Sequence, residues 1–531
     1  MSRNVSRIVG KDQVLTDVIR ESPVDQAQYR LRRWLLIIPL LVLVALIVCI
    51  VWLIWRFSID RPMSYDDIRE HFKYGSIGAE PGGSLLNAVG GLVPPYWIFR
   101  ALPKICPEML PHDGLAGLGL VFEEGVDRPI GMSRRYRLGV DFAGFNCAVC
   151  HTGTYRATPQ SPRQIVLGMP SHQLDFQALT RFIIDCPLDD RFTPDNVLAK
   201  IREVGGKLDW LDRLIYRYQL IPRVRSQTLD LGRRVQLLLD QHVVTPWGRG
   251  RVDTFNPYKS LQFHWNLALL PNEELVSASD FPSLWNQKPR QGMQLHWDGN
   301  NDSVDERNLS ASLGAGVTPV TIDHERLKRV ADWAWTLPPP AYPFPINRER
   351  AAQGAALYAE HCTLCHADHT FRDGHIQSTA QGTKVGHVVR LKDIGTDPHR
   401  WLSYTYTFAV NQYTLYPDSR YRFTHFRKTE GYANHPLDGI WARAPYLHNG
   451  SVPTLRDLLE APDKRPKVFY RGYDVFDQEK VGFVSNVAED KGITYSLYNT
   501  ALPGNSNSGH NYALDLPAAD KDAIVEYLKT F

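Results

Sequence analysis

Two short strings in this chain combine cysteine and histidine at the same spacing: CAVCH at Cys147–His151 and CTLCH at Cys362–His366. Two thiols three positions apart can bond to both vinyl groups of one haem, and the adjacent histidine then lies under the iron as an axial ligand. With seven cysteines and 18 histidines in the chain, roughly 0.003 such strings are expected by chance. The repeat therefore predicts two covalently bound c-type haems. The attachment residues are Cys147, Cys150 and His151 for the first haem, and Cys362, Cys365 and His366 for the second.

Paired C-x-x-C strings have two other uses, zinc binding and dithiol redox chemistry. A zinc site draws its ligands from neighbouring knuckles, whereas these strings are about 215 positions apart. A redox dithiol does not require the histidine, which occurs both times. Haem attachment is therefore the favoured interpretation of the two strings. Of the remaining cysteines, Cys49 lies in an apolar segment, and Cys106 and Cys186 could pair in an oxidising compartment.

No methionine of the same domain can be the sixth ligand of the second haem, because all six methionines lie at or before Met293. A second histidine would instead give a haem that handles electrons rather than substrate. For any single histidine, a loop or core role is the more common one. The candidates are His369, His375, His387, His399, His425, His435, His448 and His510.

The elements that must position these residues are mainly helical. The stretch LPPPAYPFP at 337–345 interrupts any helix and predicts an inter-domain linker. Just after it, apolar residues recur at helical spacing up to the second string, at Ala351, Ala355, Tyr358 and Ala359. The chain ends in a second amphipathic pattern, PAADKDAIVEYLKTF. A helix leading into the string and a terminal helix packed near it are typical of small cytochrome c domains.

One segment predicts a membrane anchor: residues 34–55 form 22 consecutive uncharged positions, with Trp34, Trp52 and Trp55 towards its ends. Such a run can cross roughly 30 Å of hydrocarbon as a helix. A buried core helix and a cleaved signal peptide are the weaker alternatives. Basic residues are more frequent before the run than after it, which predicts that the N-terminus is cytoplasmic and that the rest of the chain is exported. In a bacterium, the anchor would then lie in the inner membrane and the exported part in the periplasm. The net charge of +3 and the absence of a basic stripe argue against nucleic-acid binding.

Several strings together resemble the di-haem cytochrome c peroxidase superfamily, nearest its branch of RoxA-like di-haem rubber oxygenases. They are NCAVCHTG, FPSLWN, LHWDGN, APYLHNGSVPTL and the closing GNSNSGH followed by IVEYLKTF. The similarity runs from about Leu102 to Phe531. It implies two cytochrome c-like domains with haems at their interface, the first haem being the reaction centre and the second passing electrons. The membrane anchor departs from the soluble or secreted members.

The resemblance assigns residues around the second haem and between the haems. His510 matches the position of the sixth ligand, and His448 matches a histidine that lines the haem without usually binding it. Trp285 matches a tryptophan that relays electrons or holes between the haems, although core packing is its simpler role. The peroxidases also hold a calcium ion between the haems, whose ligands the sequence does not assign.

The first haem's distal pocket departs from the peroxidase pattern. Leu295 stands where the family has a glutamine, with His296 beside it, and the family's acid position falls on Asp305 or Glu306. A peroxidase needs an acid–base group there to move a proton between peroxide oxygens. The loss of the glutamine makes the pocket more apolar, which suits an oxygen-binding or hydrophobic-substrate site. The histidine could instead bind the iron and close the site. So could His172 or Met169, and the acids could belong to a solvated loop.

These observations predict a mainly α fold of two cytochrome c-like haem domains with extensive loops, preceded by one transmembrane helix. The expected boundaries are a cytoplasmic N-terminus at 1–33, the anchor at 34–55, the first haem domain at 56–338 and the second at 346–531. The expected function is a di-haem oxidoreductase that meets dioxygen or peroxide at the first haem and exchanges electrons, with a partner protein or small oxidant, through the second. The alternatives are an electron-transfer cytochrome with two six-coordinate haems, and a gas sensor.

Overall fold

The computed structural model describes residues 23–80, 93–366, 383–416 and 420–531. The chain divides at residue 60 into two units, and each is described by itself. The first unit contributes helix α1 (Pro23–Ser58), and the second contains both cysteine strings. The division between residues 338 and 346 that the sequence predicts lies inside the second unit and stays a prediction.

Helix α1 carries the apolar segment. Its stretch Gln28–Ser58 is long and apolar enough to cross a membrane, and its most hydrophobic window is not buried by any other part of the protein. That exposure distinguishes it from the core helix considered above, whose apolar side chains would be covered. At 1.5 Å per residue, the 22 uncharged positions span about 33 Å.

Helices make up most of the regular structure in the second unit, which confirms the mainly α prediction at a coarse level. Most are short, and many begin at a capping aspartate, asparagine, serine or threonine whose side chain accepts a backbone N–H. The helices are α2 (Ile68–Tyr74), α3 (Tyr96–Ile105), α4 (Gly114–Gly117), α5 (Phe176–Leu188), α6 (Pro194–Glu203), α7 (Trp210–Ile215), α8 (Ile221–Leu239), α9 (Asn256–Phe263), α10 (Asn272–Leu275), α11 (Val304–Gly314), α12 (His324–Thr336), α13 (Arg348–His361), α14 (Leu391–Ile394), α15 (His399–Ser403), α16 (Tyr406–Gln412), α17 (Leu455–Leu458) and α18 (Ala518–Leu528).

The strands form small antiparallel sheets, one of three strands in the order β1-β2-β3 and six of two strands within the described residues. They are β1 (Asp60–Pro62), β2 (Met132–Arg137), β3 (Val140–Phe145), β4 (Thr152–Tyr155), β5 (Gln164–Leu167), β6 (Arg251–Val252), β7 (Ser279–Asp280), β8 (Val388–Arg390), β9 (Gly431–Ala433), β10 (Val468–Arg471), β11 (Phe476–Asp477), β12 (Gly482–Phe483), β13 (Glu489–Asp490), β14 (Ile493–Thr494) and β15 (Ser496–Asn499).

The two strings sit in different local settings. The second string follows α13, as the helical pattern predicts, and α13 packs against the terminal helix α18. The two helices touch at Gly354, where an added Cβ would lie 1.9 Å from the carbonyl oxygen of Ala523. The first string follows strand β3 instead of a helix, and the residue pattern before it does not predict this strand.

The proline-rich stretch between the strings is packed rather than extended into solvent. Tyr342 is buried in an aromatic cluster with Trp441 and Phe476, and the indole Nε1–H of Trp441 donates to the carbonyl of Pro340 at 2.9 Å. A disulfide joins Cys106 at the end of α3 to Cys186 in α5. This bond confirms the pairing that the sequence left open.

Candidate haem sites

The first string forms a tight turn at the end of strand β3. Asn146 caps the turn Cys147–Val149: its side-chain oxygen accepts the N–H of Ala148 at 3.0 Å, and its amide donates to the carbonyl of Gly75 at 3.0 Å. The N–H of His151 then donates to the carbonyl of Cys147 at 3.1 Å. This helical turn sets the spacing of the two sulfurs and the imidazole.

The imidazole of His151 is held in one orientation by a backbone carbonyl. Its Nδ1 donates to the carbonyl of Pro282 at 2.8 Å, and burial lowers its pKa to about 4. A carbonyl can only accept, so the proton sits on Nδ1 and the lone pair of Nε2 is available to a metal. This is the arrangement that an iron-binding histidine requires.

The second string repeats this arrangement. The N–H of His366 donates to the carbonyl of Cys362 at 3.0 Å, and its Nδ1 donates to the carbonyl of His435 at 2.7 Å. Burial again lowers the pKa of the ring, which favours the neutral form that binds metals. Two strings about 215 positions apart thus present the same ring nitrogen.

His510 faces His366 across the second site. The two ring centroids are 6.3 Å apart with planes inclined by 38°. Two imidazoles that bind one metal from opposite sides, with bonds of about 2.0 Å, hold their centroids about 6 Å apart. His510 reaches this place through an unusual backbone (φ 51°), and its N–H donates to the carbonyl of Ile394 at 2.9 Å. The residues present therefore fit a haem with two axial histidines.

His448 lies elsewhere in the fold. Its ring stacks on Tyr432 with centroids 4.1 Å apart, and burial lowers its pKa to about 3. Other candidate ligands of the second haem are engaged: His399 contacts Asp397, His425 contacts Asp302, and His435 donates to a backbone carbonyl. His369 and His375 lie outside the described residues.

At the first site, the described part of the chain places no imidazole across from His151. Among the residues that the structure describes, His151 has no ring contact comparable to the one between His366 and His510. His172 stacks on Phe483 with centroids 3.6 Å apart, and Met169 is buried in the cluster around Trp285. Both ring nitrogens of His172 are buried without a hydrogen-bond partner among the described residues, so His172 and Met169 stay predicted alternatives for the first haem.

Leu295 and His296 lie in a small loop closed by backbone hydrogen bonds. Leu295 is buried and its N–H donates to the carbonyl of Asn301 at 2.6 Å. His296 has a positive φ of 59°, and its Nδ1 donates to the side-chain oxygen of Asn300 at 2.6 Å. Burial lowers its pKa to about 4. The ring is thus neutral and fixed in orientation.

The two acidic candidates near this loop have different surroundings. The carboxylate of Glu306 accepts the N–H of Thr424 at 2.7 Å, the N–H of His425 at 3.0 Å and the amide of Asn301 at 3.2 Å. These bonds tie helix α11 to a distant loop, which is a structural use of the side chain. Asp305 is exposed on the first turn of the same helix.

Trp285 is buried inside a charged cluster. Its indole N–H donates to the carbonyl of Asp438 at 3.0 Å, and the Asp438 carboxylate pairs with both Arg290 and Arg443. The Arg443 guanidinium lies 5.8 Å from the indole centroid. Sequence reasoning found Trp285 but not these three charged residues, because nothing in their spacing shows that they meet.

Two hydrogen bonds made by His435 link His366 of the second string to the loop of Leu295 and His296. The carbonyl of His435 accepts from His366, and the ring Nε2 of His435 donates to the carbonyl of His296 at 3.0 Å. Burial lowers the pKa of His435 to about 3, so the ring stays neutral. His435 appeared in the sequence only as one of eight candidate ligands, and its place in this path was not predicted.

Comparison with known proteins supports a cytochrome c-like domain. A family model described as RoxA-like, cytochrome c-like matches residues 431–470, the segment that contains His435 and Asp438. The uncharacterized protein y4iM of Sinorhizobium fredii (strain NBRC 101917 / NGR234) is 31% identical over 299 residues, which cover 48% of this chain and 65% of that protein. The uncharacterized protein y4iJ of the same strain is 27% identical over 476 residues, covering 73% of this chain and 76% of that protein.

The match to the family model implies a c-type haem and a c-type cytochrome oxidoreductase in broad terms. The alignment with y4iM covers less than two thirds of that protein's length. Among the described residues, no three or more side chains of histidine, cysteine, aspartate or glutamate converge as a metal-ion cluster. The calcium ion and the presence of two haems stay predictions.

Proposed function

We propose that this chain is a membrane-anchored di-haem c-type cytochrome oxidoreductase of the peroxidase or oxygenase kind. The observation that carries the proposal is the asymmetry between two otherwise equal sites. Both proximal histidines have Nδ1 fixed on a carbonyl, but among the residues that the structure describes only His366 has a second imidazole 6.3 Å away. One site is thus suited to exchange electrons and the other to meet a small oxidant.

The residues divide by role. The four cysteines Cys147, Cys150, Cys362 and Cys365 would hold the two haems through thioethers, His151 and His366 would be the proximal ligands, and His510 would be the second axial ligand of the second haem. When bound, the haems would supply reversible one-electron chemistry and, at the first site, reactivity with peroxide or dioxygen.

Residues around the first site would keep it apolar and would transfer protons. We infer that buried Leu295 keeps the distal side apolar, while the neutral ring of His296 stays fixed on Asn300. Of the two acids, Asp305 is the better candidate to move a proton, because Glu306 already accepts three backbone or amide hydrogen bonds. Trp285 would relay electrons, and its N–H bond to the Asp438 carbonyl fixes the indole.

The cellular setting is also proposed. Helix α1 would anchor the protein in the inner membrane, with the N-terminus in the cytoplasm and the second unit in the periplasm. Thioether attachment of haem outside the cytoplasm agrees with this orientation. A periplasmic redox protein or a small-molecule oxidant would then be the partner, and nucleic acid would not.

The electronic spectrum of the purified holoprotein tests the proposal. We expect a low-spin species from the second haem and a separate high-spin species that shifts on addition of peroxide, cyanide or carbon monoxide. If both haems were low-spin in both redox states, the protein would be an electron carrier instead. A high-spin signal that appears only in the His296→Ala variant would show that His296 closes the first site.

A further inference from the structure

The buried side chain of Arg465 binds the backbone of the loop that carries His510. Nη1 of its guanidinium donates to the carbonyls of Asn507 at 2.6 Å and Gly509 at 2.9 Å. Nη2 donates to the carbonyl of His510 at 3.3 Å. The side-chain amide of Asn507 also donates to the carbonyl of Pro466, next to Arg465, at 3.1 Å. One side chain therefore ties three carbonyls of this loop to the same place.

The same guanidinium is also attached to the end of helix α17. Its Nε donates to the carbonyl of Glu460 at 2.8 Å, and Nη2 donates at 3.2 Å to that of Leu458, the last residue of the helix. All five N–H groups of Arg465 thus donate to backbone carbonyls. A guanidinium presents these donors in a rigid planar fork, which the ammonium of lysine does not have. Arg465 therefore holds the loop of His510 against the end of α17.

The loop needs such support because of its backbone conformation. Gly509 and His510 both have positive φ angles, 76° and 51°. For a residue other than glycine this conformation is sparsely populated, and it persists where the surroundings fix it. The N–H of His510 donates to the carbonyl of Ile394, and a Cβ on Gly509 would lie 2.3 Å from the carbonyl carbon of Gly395. Arg465 and the segment of Ile394 and Gly395 together fix the loop.

The ring of His510 depends on this backbone more than the rings of the two proximal histidines do on theirs. Nδ1 of His151 and Nδ1 of His366 each donate to a carbonyl. Nδ1 of His510 is buried and has no hydrogen-bond partner among the described residues. Besides a T-shaped packing contact with Tyr512, the place of the ring opposite His366 is therefore set by the loop, and so by Arg465.

No ion pair compensates the charge of Arg465 in the part of the chain that the structure describes. The residue is 2% exposed, and its hydrogen bonds go to carbonyls, which carry no net charge. The carboxylate of Glu460 pairs with Arg456 and Lys521 instead. Burial lowers the pKa of Arg465 to about 10, so the guanidinium is charged at neutral pH. A buried cation beside a haem favours the ferrous form, whose iron carries one positive charge less.

We propose that Arg465 positions His510 as the second axial ligand of the second haem, and that its charge raises the reduction potential of that haem. The inference rests on the axial role of His510 in the proposed function. Arg465 is a positioning residue, because it binds the backbone of His510 and not the ring. No haem-attachment motif indicates it, and it lies 45 positions before the histidine.

Two substitutions in the full-length holoprotein separate position from charge. Arg465→Lys keeps a cation and loses the planar fork, whereas Arg465→Gln loses both. In both variants we expect the low-spin electron paramagnetic resonance signal of the second haem to lose intensity to a high-spin signal, because His510 is displaced. Arg465→Lys keeps the test decisive if Arg465→Gln does not fold.

A redox titration of the low-spin signal that remains measures the effect of the charge. In Arg465→Gln we expect the equilibrium constant for reduction of the second haem to fall by about tenfold, equivalent to ~59 mV for one electron. In Arg465→Lys the fall should be smaller. Equal potentials in the parent protein and both variants would overturn the role of the charge.

Arg249 supplies the matched controls, because it is also buried and donates to backbone carbonyls, those of Gly117, Gln173 and Thr494. Arg249→Lys and Arg249→Gln should leave the low-spin signal and its potential as in the parent protein. An equal loss of that signal in the Arg249 variants would overturn the proposal, since any buried arginine would then have the same effect.

The His510→Asn variant separates failure of this proposal from failure of the proposed function. If the low-spin signal is lost in His510→Asn but unchanged in both Arg465 variants, the positioning role is refuted and the axial ligand stands. If His510→Asn also leaves the signal unchanged, His510 is not the ligand, and both this proposal and the assignment on which it rests are refuted.

Discussion

At the scale of single residues, one side-chain type performs several tasks in this protein, and its hydrogen bonds distinguish them. His151 and His366 donate from Nδ1 to carbonyls, His510 faces His366, and His172 stacks on an aromatic ring. The sequence could predict the first two from their cysteines. It could not predict the carbonyl partners, because Pro282 and His435 are 131 and 69 positions away from the histidines they bind.

Replacing His510 tests the second axial ligand. The His510→Asn variant keeps a residue that tolerates the positive φ at this position and removes the imidazole. We expect the low-spin electron paramagnetic resonance signal of the second haem to be lost and a high-spin signal of equal intensity to appear. His448→Asn, a change at another buried histidine, should leave the spectrum unchanged. An unaltered low-spin signal in His510→Asn would refute the assignment.

Replacing Trp285 tests the relay. Phenylalanine is harder to oxidise than an indole, so Trp285→Phe should slow electron transfer between the haems by about tenfold, equivalent to ~1.4 kcal/mol in the barrier. Rapid partial reduction followed by absorption changes at each haem measures the rate. Trp441→Phe is the matched control, since Trp441 is equally buried and also donates its indole N–H to a backbone carbonyl. Equal rates in the two variants would contradict a relay through Trp285.

The buried ring of His172 makes stability sensitive to acid. Burial lowers its pKa to about 3, although Asp474 nearby opposes the shift, with Arg471 and Arg163 favouring it. The unfolded chain takes up this proton near pH 6.5, so stability is full above that pH and is lost as the pH falls towards 3. At pH 5 the loss is about 2 kcal/mol.

The His172→Phe variant, which keeps an aromatic ring on Phe483, should reduce the drop in melting temperature between pH 7 and pH 5. His112→Gln changes an exposed histidine and should leave that drop as it is in the parent protein. If the melting temperature of the His172→Phe protein drops between pH 7 and pH 5 as much as that of the parent protein, the buried imidazole is not the source of the acid sensitivity.

At the scale of elements, the crossing of α13 and α18 was the most predictable feature. Helical periodicity located both helices, and the structure confirms them at Arg348–His361 and Ala518–Leu528. The hairpin of β2 and β3 ahead of the first string was not predicted. Its strands are short and pair through backbone hydrogen bonds, which leave a weak pattern in the side chains.

Gly354, where α13 crosses α18, should not tolerate replacement by a residue with a side chain. In Gly354→Ala, the new Cβ would meet the Ala523 carbonyl oxygen at 1.9 Å and force α13 and α18 apart. We expect a loss of about 1–3 kcal/mol in the free energy of unfolding, and weaker retention of the second haem. Calorimetry and haem content measure both.

Gly314→Ala is the control for this change, because a Cβ at the end of α11 meets nothing within 4 Å. Alanine there should be neutral or slightly stabilising. A Gly354→Ala protein as stable as Gly314→Ala would mean that the helices do not approach as closely as the structure indicates.

At the scale of the whole molecule, composition predicted helix α1 and residue spacing predicted the two attachment strings. The contacts that link distant parts of the second unit were not predictable. Trp285 meets Asp438 across 153 positions, and His435 meets the carbonyl of His296 across 139. Such contacts depend on tertiary packing of loops, for which a single sequence carries no periodic signal.

The most direct test of the account is the intact mass of the full-length protein matured in a periplasm competent for haem attachment. We predict a mass increased by two haem groups, and by one haem group in each of the variants Cys147→Ala/Cys150→Ala and Cys362→Ala/Cys365→Ala. A protein of apo mass, or one whose four cysteines are free thiols or zinc ligands, would contradict the central claim that both strings carry thioether-bound haem.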